Sequence, residues 1–111
     1  MPNQIMLVMT EATAGMEDEY NEWYTNVHLP EVLKVPGVEA AQRFVAASRE
    51  DGAAPPRKYL TIYEYSLDRK QVEDGIRAAH ASGVMSDISK AIDQGLTVAY
   101  LYDPLTERLQ A

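Results

Sequence analysis

The sequence predicts an α+β fold, a four-stranded antiparallel sheet with its helices on one face, on three observations. Apolar residues switch from a strand-like pattern to a helical period and back, and do so twice along the chain. Glycine and proline mark most of the switches. A length of 111 residues is enough for one core and too short for two, so the expectation is a single domain, 1–111.

The elements justify that prediction in order. "IMLVM", Ile5 to Met9, is a short apolar run of strand length. From Met16 the period becomes helical: steps of about 100° gather Met16, Tyr20, Trp23, Tyr24 and Val27 on one face. Glu17, Asp18 and Glu19 fall in the first turn, where carboxylates suit the helix dipole and nothing more is expected of them. Pro30 disfavours helical geometry at Leu29, so the helix should break or kink near Asn26 to Leu29. "PEVLKV" then starts a short second helix that Pro36-Gly37 ends.

"VEAAQRFVAAS" and "KYLTIYEYSL" read as two strands around the hairpin loop Ser48 to Lys58. Asp68 and Gln71 make a capping box for a further helix, with Val72, Ile76, Ala79 and Gly83 inward. Gly83 should kink or divide it, leaving "VMSDISKAID" helical as far as Gly95. "LTVAYLYD" is the last strand, stopped by Pro104. The order β-α-β-β-α-β is the split βαβ, or ferredoxin-like, arrangement, with spatial strand order 4-1-3-2. Helices cover one face of such a sheet, yet the strands are apolar on both, so a homodimer joined sheet against sheet is expected. Leu105 and Leu109 in the tail should pack on the partner.

The segment "YNEWYTNVHLPEVLKVPGVEAAQRF" resembles that of EthD-like proteins, where an aromatic helix runs into His-x-Pro and then Pro-Gly. The matching positions are Tyr20, Trp23, Tyr24, His28, Pro30, Pro36 and Gly37, and "YLTIYEYSL" resembles a later strand of that family. The resemblance implies the dimeric α/β-barrel superfamily, whose members include isomerases, cyclases, cofactor-free monooxygenases and proteins without an assigned role.

Chemistry centres on His28. Its ordinary pKa, about 6.5, suits proton transfer near neutrality. Topology sets it beside Gln4, Met6, Val38, Ala40 and the end of the third strand, where Glu64 is the nearest candidate to orient it. The blander reading makes His28 a helix-end cap or a satisfied core histidine. Tyr20, Trp23, Tyr24, Tyr63, Tyr65 and His80 are candidate substrate-binding residues, each with a packing role as the plainer alternative.

Several classes are set aside. No phosphate loop, dinucleotide fingerprint or nucleophile elbow occurs, so no cofactor is expected, and two histidines from different elements make a metal site improbable. A net charge of −7 disfavours nucleic acid. The lack of cysteine suits a cytoplasmic address, and no apolar run reaches the roughly 20 residues of a membrane span. Two function classes remain. One is a cofactor-independent enzyme of small-molecule metabolism, acting on an aromatic or polyketide-like carbonyl compound, with His28 moving a proton in an isomerase, cyclase or lyase step. The other is a non-catalytic small-molecule-binding accessory protein of a catabolic pathway.

Overall fold

Four strands are laid down in the order β2-β3-β1-β4. They are β1 (Gln4–Thr10), β2 (Val38–Val45), β3 (Tyr59–Tyr65) and β4 (Val98–Tyr102), and every neighbouring pair is antiparallel. The structure, a computed structural model, describes residues 3–47, 51–66, 68–83 and 85–111. The start of the expected hairpin loop, residues 48–50, lies outside the described residues. With α1 (Glu17–Trp23), α2 (Leu29–Val32) and α3 (Arg69–Ala81), this is the ferredoxin-like α+β fold.

The register decides which side chains share a face. Met6 opposes Tyr63 and Val8 opposes Thr61, and these lie under the helices with Tyr59 and Tyr65. Ile5, Leu7 and Met9 oppose Glu64, Ile62 and Leu60 on the other face. The core divides into two clusters. One joins Val32, Val35, Tyr63, Tyr65, Val72 and Ala79; the other joins Tyr20, Tyr24, Tyr59, Ala91 and Ile92.

α3 starts as its sequence dictates. Asp68 accepts from the Gln71 backbone N–H at 2.9 Å, and the Gln71 side chain answers at the Asp68 N–H. Gly75 lets this helix close on the turn between α2 and β2, since a Cβ there would stand 3.0 Å from Val35 Cγ1. Gly83, at φ +78°, ends it in the left-handed conformation that glycine adopts without strain.

One expectation is made specific here and another corrected. The irregularity expected near Asn26 to Leu29 is present, but the helix does not break there. It widens into a π turn, Tyr24–His28, and continues as α2. Proline cannot donate a hydrogen bond, and its ring would press on the Asn26 carbonyl in a regular helix. Leu29 N–H instead reaches five residues back to the Tyr24 carbonyl, which opens the turn at that point. Second, the segment expected to be helical up to Gly95 is irregular over residues 85–93, with only a 3₁₀ turn at Gln94–Leu96; Val84 lies outside the described residues. Backbone bonds to the opposite loop hold it: Thr13 N–H donates to Ala91 at 2.7 Å and Asp93 N–H to Glu11 at 3.0 Å.

Candidate functional site

His28 owes its position to the π turn. In a regular α-helix, five residues carry a side chain about 140° around the axis, so Trp23 and His28 would not meet. Here their rings stack at 4.8 Å with 21° between planes, and Tyr24 meets the imidazole edge-on at 4.9 Å. The imidazole is thus held by rings and not by polar partners. It makes no hydrogen bond among the described residues, and neither of its nitrogens is both fully buried and unpartnered.

Among the described residues, it borders two adjoining cavities. The larger, about 280 Å³, is bounded by Val8, Trp23, Tyr24, His28, Ile88 and Ile92, with Gln94 and Thr97 as polar groups. The smaller, about 160 Å³, shares Val8, Tyr24 and His28 and adds Met6, Tyr63, His80 and Met85 among others. His28 is therefore part of a wall common to both. The apolar setting disfavours the imidazolium. Burial lowers the His28 pKa from 6.5 to about 4, Glu31 opposes that shift, and His80 adds to it. At neutral pH His28 is a neutral imidazole with an open lone pair.

A hydroxyl pair adjoins it. Tyr24 Oη and Tyr63 Oη lie 3.0 Å apart in a hydrogen bond either can donate. Burial pushes the Tyr63 pKa up strongly, so this group stays a neutral donor. The pair carries two hydrogens and spends one between its members, which leaves one for a ligand.

Glu64 is not part of this site. It is exposed on the opposite face of the sheet, in a shallow depression with Gln42, Phe44 and Ile62. Strand alternation turns it away from the helices, so it cannot orient His28, and this expectation is corrected. Of the expected binding residues, Trp23, Tyr24, Tyr63 and His80 border one or both cavities. Tyr20 and Tyr65 border neither. The Tyr20 hydroxyl bonds Thr10 Oγ1, and Tyr65, its pKa pushed up to about 12 by burial, turns its hydroxyl toward Met6 Sδ at 3.9 Å. Among the described residues, no three histidine, aspartate or glutamate side chains converge as metal ligands.

Arg43 is a feature the sequence reading missed. Its guanidinium lies 4.6 Å from the Tyr24 ring centre, 5.2 Å from Tyr20 and 5.5 Å from Tyr59. Its terminal nitrogens donate to Thr25 Oγ1 at 2.8 Å and Asn21 Oδ1 at 3.0 Å. Arg43 opposes Thr61 on the helix side of β2, so it braces the start of the π turn against the sheet. The alternation Ala41, Arg43 was the available signal: it aims a cation under an aromatic helix. Glu17 also does more than begin a helix. Its carboxylate takes the Lys58 ammonium and the Tyr59 hydroxyl, and these bonds lower its pKa.

No family model and no curated protein matches the sequence. Solved structures do match the fold. HapK from Hahella chejuensis superposes with a TM-score of 0.70 at 14% identity, over 97% of this chain and 98% of that one. An EthD-like protein from Ralstonia eutropha JMP134 gives 0.64 at 14% identity, covering 97% of each chain. A monooxygenase from the gene ActVA-Orf6 of Streptomyces coelicolor, in complex with nanaomycin D, gives 0.56 at 15% identity, over 99% of this chain and 94% of that one. The chain shares with these structures the ferredoxin-like fold of one four-stranded antiparallel sheet and its helices. No helix among the described residues is long and apolar enough to cross a membrane.

Proposed function

We propose that this protein is a cofactor-independent enzyme of small-molecule metabolism in which His28 moves a proton on an apolar, enolisable carbonyl compound. The supporting observation is one ring: a neutral imidazole, without a hydrogen-bond partner among the described residues, on the wall between two apolar cavities. The step is proton abstraction next to a carbonyl. The His28 lone pair takes the C–H proton, the electron pair moves onto the carbonyl oxygen, and the spare hydrogen of the Tyr24–Tyr63 pair bonds that oxygen. An imidazole with a folded pKa of about 4 is a weak base alone. The enolate beside it stabilises the imidazolium, so its basicity rises as the reaction needs it. Returning the proton to another atom completes an isomerisation; attack or expulsion by the enolate gives a cyclase or lyase step. The ActVA-Orf6 monooxygenase, whose bound ligand is nanaomycin D, supports an aromatic or polyketide-like compound as the substrate class.

A second reading keeps the pocket and drops the proton transfer. The Trp23–His28 stack is the observation in its favour, since a ring fixed by aromatic contacts can serve purely as a wall for a flat ligand. One experiment separates the two. Trp23 is the only tryptophan and borders the larger cavity, so its fluorescence reports occupancy. A panel of enolisable aromatic ketones is screened for binding, and deuterium uptake at the α-carbon is then followed in D2O. The enzyme reading expects uptake that His28→Gln slows by about 10²- to 10⁴-fold while binding persists. Binding without uptake overturns it in favour of the binding protein, and equal uptake in the variant removes His28 from the mechanism.

The assembly we propose is a homodimer joined through the uncovered sheet face. Leu60 and Ile62, with Ile5, Leu7 and Met9, share that face with Phe44, Tyr100 and Tyr102, of which the last two are 49% and 52% exposed. A continuous apolar surface of this kind favours a protein partner. The tail points the same way, with Leu105 and Leu109 at 97% and 87% exposure. The absence of cysteine suits a cytoplasmic address.

A further inference from the structure

We infer that His80 exchanges the proton of His28 with bulk water through the smaller cavity, so that the two histidines of the chain work in series. The inference rests on the proposed proton-moving role of His28 and adds what that role leaves open. A buried base that takes a proton must also be able to lose it or be reloaded. His28 has the Trp23 ring stacked on it and the Tyr24 ring against its edge. When a ligand fills the larger cavity, the cavity of about 160 Å³ still adjoins His28, and His28 and His80 are both on its wall. His80 is also exposed at the protein surface, in the last turn of α3. It therefore touches both the chamber and the solvent.

The other groups facing His28 do not serve. Glu31 interacts with it electrostatically, but both Glu31 oxygens are engaged by Ser86, at 2.9 Å from its N–H and 2.5 Å from its hydroxyl. Those bonds lower the Glu31 pKa, so the carboxylate stays ionised, and it borders neither cavity. The Tyr63 and Tyr24 hydroxyls bond each other, and with each side chain only 1% exposed neither reaches bulk water. These hydroxyls and the two imidazoles are instead the polar partners a water in the chamber requires. The transfer balances simply. The His28 imidazolium gives its proton to that water, the water gives one to the free nitrogen of His80, and His80 releases one outside. Both imidazoles end neutral. The direction follows from geometry: His28 is enclosed by the Trp23 and Tyr24 rings, whereas His80 is exposed at the surface, where a released proton reaches water. His80 acts through His28 and not on the substrate.

The test needs no substrate. With two histidines in the chain, ring ¹⁵N resonances are assigned by comparing the protein with His80→Gln, an exposed change that leaves the core intact. The solvent-exchange rate of the His28 ring proton is measured at about pH 6.5, where free imidazole is present as both acid and base. The relay expects exchange slowed on the order of tenfold in His80→Gln and partly restored by free imidazole in the buffer. An unchanged rate in the variant overturns it, as does slowing that free imidazole does not relieve. Exchange independent of His80, with α-deuterium uptake that still needs His28, would end the relay and leave the proposed function standing. Loss of the His28 requirement for uptake would end the proposed function itself.

Discussion

The two faces of β3 invert the usual division of a sheet. Its helix-covered face is Tyr59, Thr61, Tyr63 and Tyr65, all buried and all carrying a hydroxyl. Its uncovered face is Leu60, Ile62 and Glu64, where the aliphatic groups are only partly buried and the carboxylate is exposed. Ordinarily the aliphatic side packs inward and the polar side meets water. The inversion teaches that the two faces have different tasks. The hydroxyl-bearing face builds a polar network around the aromatic helix, where Tyr20 meets Thr10 and Tyr24 meets Tyr63. The aliphatic face is left for an external surface.

The sharpest way to break that comparison is to charge the uncovered face. Ile62→Asp changes little within one protomer, since the site is only partly buried there. In a sheet-to-sheet dimer it buries two unpaired carboxylates, at a cost of several kcal/mol, roughly 3 or more. Light scattering at micromolar concentration should give about twice 12.4 kDa for the parent chain and the monomer mass for the variant. A monomeric parent would remove the dimer, and with it the explanation of this face.

The covered face is tested by acid. His28 has a folded pKa of about 4 against 6.5 for the free side chain. Between those values the unfolded chain binds a proton that the folded one does not, so stability is full above pH 6.5 and falls as pH drops toward 4. The loss is on the order of 3 kcal/mol over that window. Chemical denaturation at a series of pH values should show this slope, and His28→Gln should flatten it. Protonation should also quench the stacked Trp23, with a midpoint near pH 4 that vanishes in the variant. A midpoint near 6.5 would mean that the imidazole is solvated and the cavity wall is not where it stands.

Much of the fold is legible in the sequence because local and global preferences agree in it. The Asp68–Gln71 box, the Gly83 stop and the alternation of β3 each carry their own signal. His28 was legible from its place between an aromatic helix and a proline. The π turn was not, because Pro30 disfavours the regular helix equally whether the chain breaks, kinks or widens, and the outcome turns on which carbonyl Leu29 N–H reaches. Residues 85–93 carry a helical period but are tied down by Thr13 and Glu11, residues more than 70 positions away in sequence. Glu64 was matched correctly with Leu60 and Ile62, but alternation says which residues share a face and not which face the helices cover. Here the tyrosines took the covered side.

The smallest effect probes that choice directly. Tyr63→Phe keeps the ring, the packing against Val32 and Val72, and the volume of the covered face. It removes one hydroxyl and leaves that of Tyr24, a side chain 1% exposed, without its 3.0 Å partner. The expected cost is about 1–2 kcal/mol, read as a melting temperature lower by several degrees. Tyr65→Phe is the matched control, since the Tyr65 hydroxyl has only a 3.9 Å contact with Met6 Sδ and its loss should cost less. Ligand affinity separates the structural effect from the functional one. With Tyr63 reduced to phenylalanine, the Tyr24 hydrogen is released toward the cavity, so a carbonyl ligand should bind at least as well while the fold loosens. A fall in both together would mean that the pair acts through Tyr63 as the donor, and equal losses in the two variants would reduce the hydroxyl pair to packing.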